Sequence, residues 1–125
     1  MKFLLDTHIF FWWCENNPVL GKKVIPLITN ASHEIFVSTA SLWELIIKEK
    51  IGKLRLPADI LQTLERNKFK ELSISLSHLA TLRELPLHHR DPFDRLLIAQ
   101  SKSEHIPILT RDKEFELYHA EIILV

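Results

Sequence analysis

Four acidic residues stand at distant points of the chain: Asp6 in LLDTH, Glu44 in SLWE, Asp94 in DPFDRLLIAQ and Asp112 in LTRD. Carboxylates brought into one cleft repel each other, and without a cation some of them must take up protons. Oxygen ligands with no histidine or cysteine among them suit Mg²⁺ or Mn²⁺. Such ions polarise a phosphoryl oxygen, activate water and stabilise a leaving oxygen. The chemistry implied is hydrolysis of a phosphodiester.

Each acid also has a local reading. Asp91 followed by Pro92, with an acid three residues after the cap, makes a favourable helix start. Asp94 then lies in the first turn, where the helix dipole favours a carboxylate. Ser41-Leu-Trp-Glu44 fits a capping box. A helix starting earlier, at Ser38 or Thr39, frees Glu44 from that duty. Asp6 and Asp112 each follow a strand and could cap what comes next. Taken singly, each acid reads more readily as a cap than as a catalyst.

The elements that must position these residues are legible as short apolar runs alternating with helical patterns. Strands are expected at 2–5, 34–37, 71–75, 107–110 and 121–125. Helices are expected over HIFFWW, about 21–31, TASLWELIIKEKIG, ADILQTLERNK, LSHLATLREL and PFDRLLIAQSKSEH, with a turn at 54–57. Strands too apolar to face water, separated by helices, indicate a mostly parallel α/β sheet covered on both sides. In such a sheet, strand C-termini and the following helix N-termini share one edge, where these folds bind ligands. Pattern alone does not reveal strand order. If the order is 3-2-1-4-5, strands one and four flank the point of reversal. The acids then cluster at that point, and the acid-free third strand lies at the rim.

Taken together, LLDTH, SLWE with its lysine-rich helix end, DPFDRLLIAQ and LTRD resemble a PIN-domain ribonuclease. The likeness is greatest to the VapC-like toxins of type II toxin–antitoxin pairs, and it spans essentially the whole chain. The resemblance implies one PIN domain over 1–125, a three-layer α/β/α sandwich around a five-stranded sheet in the order 3-2-1-4-5. It implies a metal-dependent endoribonuclease in which Asp6, Glu44, Asp94 and Asp112 surround Mg²⁺ or Mn²⁺. Thr7 and Thr110 match hydroxyl positions beside the acids that orient them. The implied partners are an RNA substrate, a cognate antitoxin that covers the site, and a second copy in a homodimer.

Composition bounds the rest. Sixteen basic residues cancel sixteen acidic ones in 125 residues, so any RNA-binding surface must be a local patch. Candidates are Arg90, Arg95 and Arg111 beside the acids, and Lys48, Lys50, Lys53 and Arg55 at a helix end and turn. The last group has a plain alternative as a solvated helix terminus. Arg95 and Arg111 could pair with the acids when no metal is bound. Trp12, Trp13 and Trp43 lie in apolar helical patterns, which favours core or interface packing over base stacking. His8 and His89 could support the acids, although satisfied structural histidines are commoner. The lone Cys14 excludes an internal disulfide and suits a reducing cytoplasm. No signal peptide or membrane span is expected. The histidines and Cys14 lack zinc spacing, and two glycines exclude a glycine-rich phosphate loop. A haloacid-dehalogenase-type phosphatase needs a second aspartate where His8 stands. A receiver domain needs a late lysine where Thr-Arg-Asp stands. The remaining alternative is a non-catalytic RNA- or protein-binding module that keeps the acids as caps.

Overall fold

A computed structural model describes residues 1–88, 90–118 and 121–125. Strand β1 (Lys2–Leu5) pairs in parallel with β2 (Glu34–Ser38) on one side and β4 (Ile108–Thr110) on the other. Strand β3 (Lys70–Leu72) joins β2, and β5 (Ile122–Leu124) joins β4. The order is β3-β2-β1-β4-β5, all parallel, as expected from the resemblance.

The period-two alternation of a strand divides the core between the two faces. Phe3, Leu5, Ile35, Val37 and Leu109 join one apolar cluster, with Ile9 and Phe10 of α1 (Thr7–Cys14), Val24 and Ile28 of α2 (Gly21–Thr29), Leu45 of α3 (Thr39–Lys50) and Ile60 of α4 (Ile60–Arg66). Leu4 and Ile108 point the other way. They pack with Leu97 and Ile98 of α6 (Pro92–Glu104) and with Leu85, which follows α5 (Leu76–Glu84). Helices thus cover both faces, which is why the inner stretches Phe3–Leu5 and Ile108–Leu109 run apolar rather than alternating, while the edge strand β3 carries Lys70 and Glu71.

Three expectations need adjusting. The third strand spans Lys70–Leu72 rather than 71–75. Its register reaches only Phe36–Ser38, and Ser75 is already the N-cap of α5. Strand β4 begins at Ile108 because Pro107 has no N–H; its carbonyl still accepts from the Leu4 amide at 2.8 Å. Two 3₁₀ segments, Pro18–Leu20 and Lys113–Tyr118, were not anticipated. The second buries Phe115 and Tyr118 in the core. No helix among the described residues is long and apolar enough to cross a membrane.

Candidate metal and nucleic-acid site

The acids gather where β1 and β4 end side by side. Asp6 follows β1 and occupies the N-cap position of α1, yet its side chain makes no capping hydrogen bond. Pairing of β1 with β4 brings Thr110 alongside, and the Thr110 hydroxyl donates to Asp6 Oδ2 at 2.8 Å across a separation of 104 residues. The same hydroxyl accepts from the Asp112 amide at 3.0 Å. Asp6 is 3% exposed, and its Oδ1 finds no hydrogen-bond partner among the described residues. Burial raises its pKa, with the Thr110 hydrogen bond opposing.

Glu44 reaches the cluster because α3 starts early. Ser38 is the N-cap and accepts from the Ala40 amide at 3.0 Å, so the Ser41–Glu44 capping box does not form. Glu44 is buried within α3. Its Oε2 pairs with Lys48 Nζ one turn on at 2.8 Å, and its Oε1 has no partner among the described residues. Asp91 takes the capping role at α6, its Oδ1 accepting from the Phe93 and Asp94 amides at 2.8 and 3.2 Å. Asp94 is thereby left to face inward, 9% exposed. Burial first, then the charges of Asp6, Asp91, Glu44 and Asp112, push its pKa up to about 8.

That response shows Asp94 within electrostatic range of the other three acids. Coulombic reach extends well beyond a metal–oxygen bond, and among the described residues no three acidic, histidine or cysteine side chains stand at metal-ligating spacing. The donor chemistry fits a hard divalent cation: all oxygen, two buried carboxylate oxygens without partners, and one acid that ionises reluctantly. The ligating geometry is not assembled. Asp112 is the most locally engaged of the four, its Oδ1 accepting from the Glu114 amide at 2.9 Å.

Several expected contacts go elsewhere. The Thr7 hydroxyl donates to Ser41 Oγ at 2.8 Å, tying α1 to α3 rather than orienting an acid. Among the described residues, no ion pair joins Arg95 or Arg111 to the acids. Arg95 donates to the Pro86 carbonyl at 2.9 Å, and Arg111 donates to the Val19 carbonyl at 2.6 Å. Lys48 is held by Glu44, while Arg90, Lys50 and Lys53 are exposed. Trp43 is 57% exposed and meets Phe93 edge-on at 5.2 Å, so it is not a core residue. His89 lies outside the described residues. Burial pushes the Cys14 thiol up to about 12, which removes thiolate chemistry.

A cavity of about 260 Å³ opens beside the cluster, lined by Asp6, His8, Trp12, Arg111 and Asp112. Glu44 and Asp94 are not among its lining residues. The sequence reading allowed His8 a place beside the acids but gave Trp12 to packing, and did not bring the two together in one wall. The available signal was their place in the first turns after Asp6, two and six residues on.

The PIN-domain family model matches residues 3–120. No curated protein matches by sequence. Among solved structures, the chain is similar to one in VapBC2 from Rickettsia felis bound to a DNA fragment from its promoter, with a TM-score of 0.75, 18% identity and coverage of 100% of this chain and 99% of that one. DNA-bound VapBC from Salmonella typhimurium gives 0.73 at 20% identity, covering 98% and 97%. VapBC-5 from Mycobacterium tuberculosis, of the VapBC family of toxin-antitoxin systems, gives 0.60 at 18%, covering 99% and 97%. At these identities the likeness is one of fold. With the family model covering nearly the whole sequence, the chain belongs to the PIN-domain family.

Proposed function

We propose that the chain is a Mg²⁺- or Mn²⁺-dependent endoribonuclease, the toxin of a toxin–antitoxin pair. In this reading residues 1–125 form one catalytic unit that works in the cytoplasm, pairs with a second copy and is silenced by an antitoxin covering the carboxylate cleft. Membership of the PIN family and the fold shared with chains from VapBC complexes support it. The observation that carries it is the Asp94 carboxyl, raised first by burial and then by the charges of Asp6, Asp91, Glu44 and Asp112, beside Asp6 and Glu44, each of which keeps one oxygen without a donor among the described residues.

Asp6, Glu44 and Asp94 would hold the cation, with Asp112 at the rim. A divalent ion there supplies charge that polarises the phosphoryl group and offsets the developing charge on the leaving oxygen. The chain itself contributes position. Thr110 holds Asp6 Oδ2 and leaves Oδ1 available, Asp91 takes the cap so that Asp94 need not, and the Ser38 cap frees Glu44. Lys48 pairs with Glu44 Oε2 and offsets its charge.

Purified protein incubated with single-stranded RNA and Mn²⁺ should give internal cuts that EDTA abolishes. Asp6→Asn should lower the rate by at least about a hundredfold, more than loss of a supporting hydrogen bond costs, while its melting temperature holds or rises. Full activity in a pure Asp6→Asn sample overturns the proposal. The alternative, a non-catalytic RNA- or protein-binding module, draws support from Asp112 acting as a cap and from the unassembled ligand spacing. It predicts no Mn²⁺ uptake by calorimetry and no chelator-sensitive cutting.

A further inference from the structure

Helix α1 leaves Asp6 and carries His8 and Trp12 along the rim of the cluster. Trp12 is half-buried and lines two cavities. The first, about 260 Å³, opens on Asp6 and Asp112. The second, about 380 Å³, opens on Lys48 and Lys53. His8 lines both as well, so the same two side chains stand between the hollows. A strand reaching from the lysines to the acids along this face would pass the indole.

The indole is dressed for a planar partner. The Arg111 guanidinium carbon lies 5.8 Å from the ring centroid, and its donation to the Val19 carbonyl holds that cation in place. The His8 ring is 5.7 Å away and inclined by 38°, so it does not lie flat on the indole. The other two tryptophans are engaged otherwise. The Trp13 N–H donates to Asn67 Oδ1 at 3.3 Å and its ring packs on Phe69, while Trp43 meets Phe93. An indole with a planar cation lying over its ring, beside further lysines, offers stacking surface and positive charge to an unpaired base and its flanking phosphates.

We propose that Trp12, flanked by His8 and Arg111, seats an unpaired base of the RNA strand next to the cleavage position, with the exposed Lys53 attracting the phosphates that follow. The proposal rests on the nuclease reading above and adds a subsite to it. Stacking tolerates any base, so the seat selects single-stranded RNA over duplex and sets no sequence.

The test compares a short single-stranded RNA with an abasic ribose-phosphate strand of the same length and charge, in EDTA so that neither is cut. Wild-type protein should bind the RNA more tightly. Trp12→Ala should weaken RNA binding by about tenfold to a hundredfold and leave the abasic strand unaffected. Because Trp12 also packs against the core, a second measurement guards against misfolding. With Trp13→Phe and Trp43→Phe, only Trp12 fluoresces, and RNA should quench it while the abasic strand does not. Equal quenching by the two strands, or none, overturns the base seat; so does unchanged RNA affinity in a folded Trp12→Ala, which hands the wall to a protein partner. Chelator-sensitive cutting alongside an unresponsive Trp12 sinks this inference and spares the nuclease. Quenching by RNA without any cutting sinks the nuclease and spares the seat.

Discussion

Two buried polar clusters in this fold are built to opposite rules. Between α5 and α6, His78 is 1% exposed and hydrogen-bonded at both ring nitrogens. Its Nδ1 accepts from the Ser75 amide at 3.0 Å and lies 3.3 Å from Gln100 Nε2, while its Nε2 lies 2.9 Å from Glu104 Oε1. Only Gln100 Oε1 is left over there among the described residues. At the end of β1, by contrast, Asp6 and Glu44 are carboxyl groups just as buried, and each keeps an oxygen unpartnered among the described residues. A buried acid without a donor is costly. A closed cluster needs only its own chain, whereas the open one would be stabilised by the cation proposed for it. The difference separates a structural network from a candidate site more sharply than burial or residue type does.

Mutations sharpen that contrast. Among variants of the supporting residues the largest effect is on activity: Thr110→Val removes the donor that holds Asp6 and should lower the RNA-cutting rate by about ten- to a hundredfold, with a loss of about 1–3 kcal/mol in stability from the acceptor left unpartnered. His78→Ala should affect stability alone. It should destabilise the fold by about 2–4 kcal/mol in urea titrations, while cutting per folded molecule stays unchanged. Comparable loss of activity in His78→Ala would erase the distinction between the clusters.

Asp94→Asn tests the open cluster through pH. In the fold its pKa is about 8, against an ordinary 3.8. Below the lower value both folded and unfolded chains hold the proton, and the group costs nothing. Between the two values the unfolded chain ionises first, so stability falls as pH rises, and the full cost is present above about pH 8. Without divalent metal, Asp94→Asn should therefore match wild type near pH 4 and exceed it by about 1–3 kcal/mol near pH 8. Thermal melts across that range decide it. The smallest effect is assigned to Asp91→Ala, a lost cap costing about 1 kcal/mol, read by the same melts at fixed pH.

Much of this architecture was legible in advance because it depends on short-range rules. Apolar runs marked the strands, and Asp91-Pro92 marked the start of α6. The third strand was overextended because ELSIS reads as β by propensity, while Ser75 answers to the helix that follows. The segment Lys113–Tyr118 escaped notice because a 3₁₀ turn has no strong periodic signal. The four acids of the proposed site were read from their motifs. The partners of Thr7, Arg95 and Arg111 were not, since each donates to an atom supplied by a distant segment.

Residue order and type alone determined the alternation of strand and helix and the positions of the acids, because helix caps, turn formers and hydrophobic period act over a few neighbours. Tertiary structure decided which acids are caps and which are open. Asp6 and Thr110 meet only because β1 and β4 pair, and Asp94 resists ionisation only because three separate segments converge on it out of water. Desolvation and charge repulsion depend on distances through space, and no local pattern in a chain encodes those.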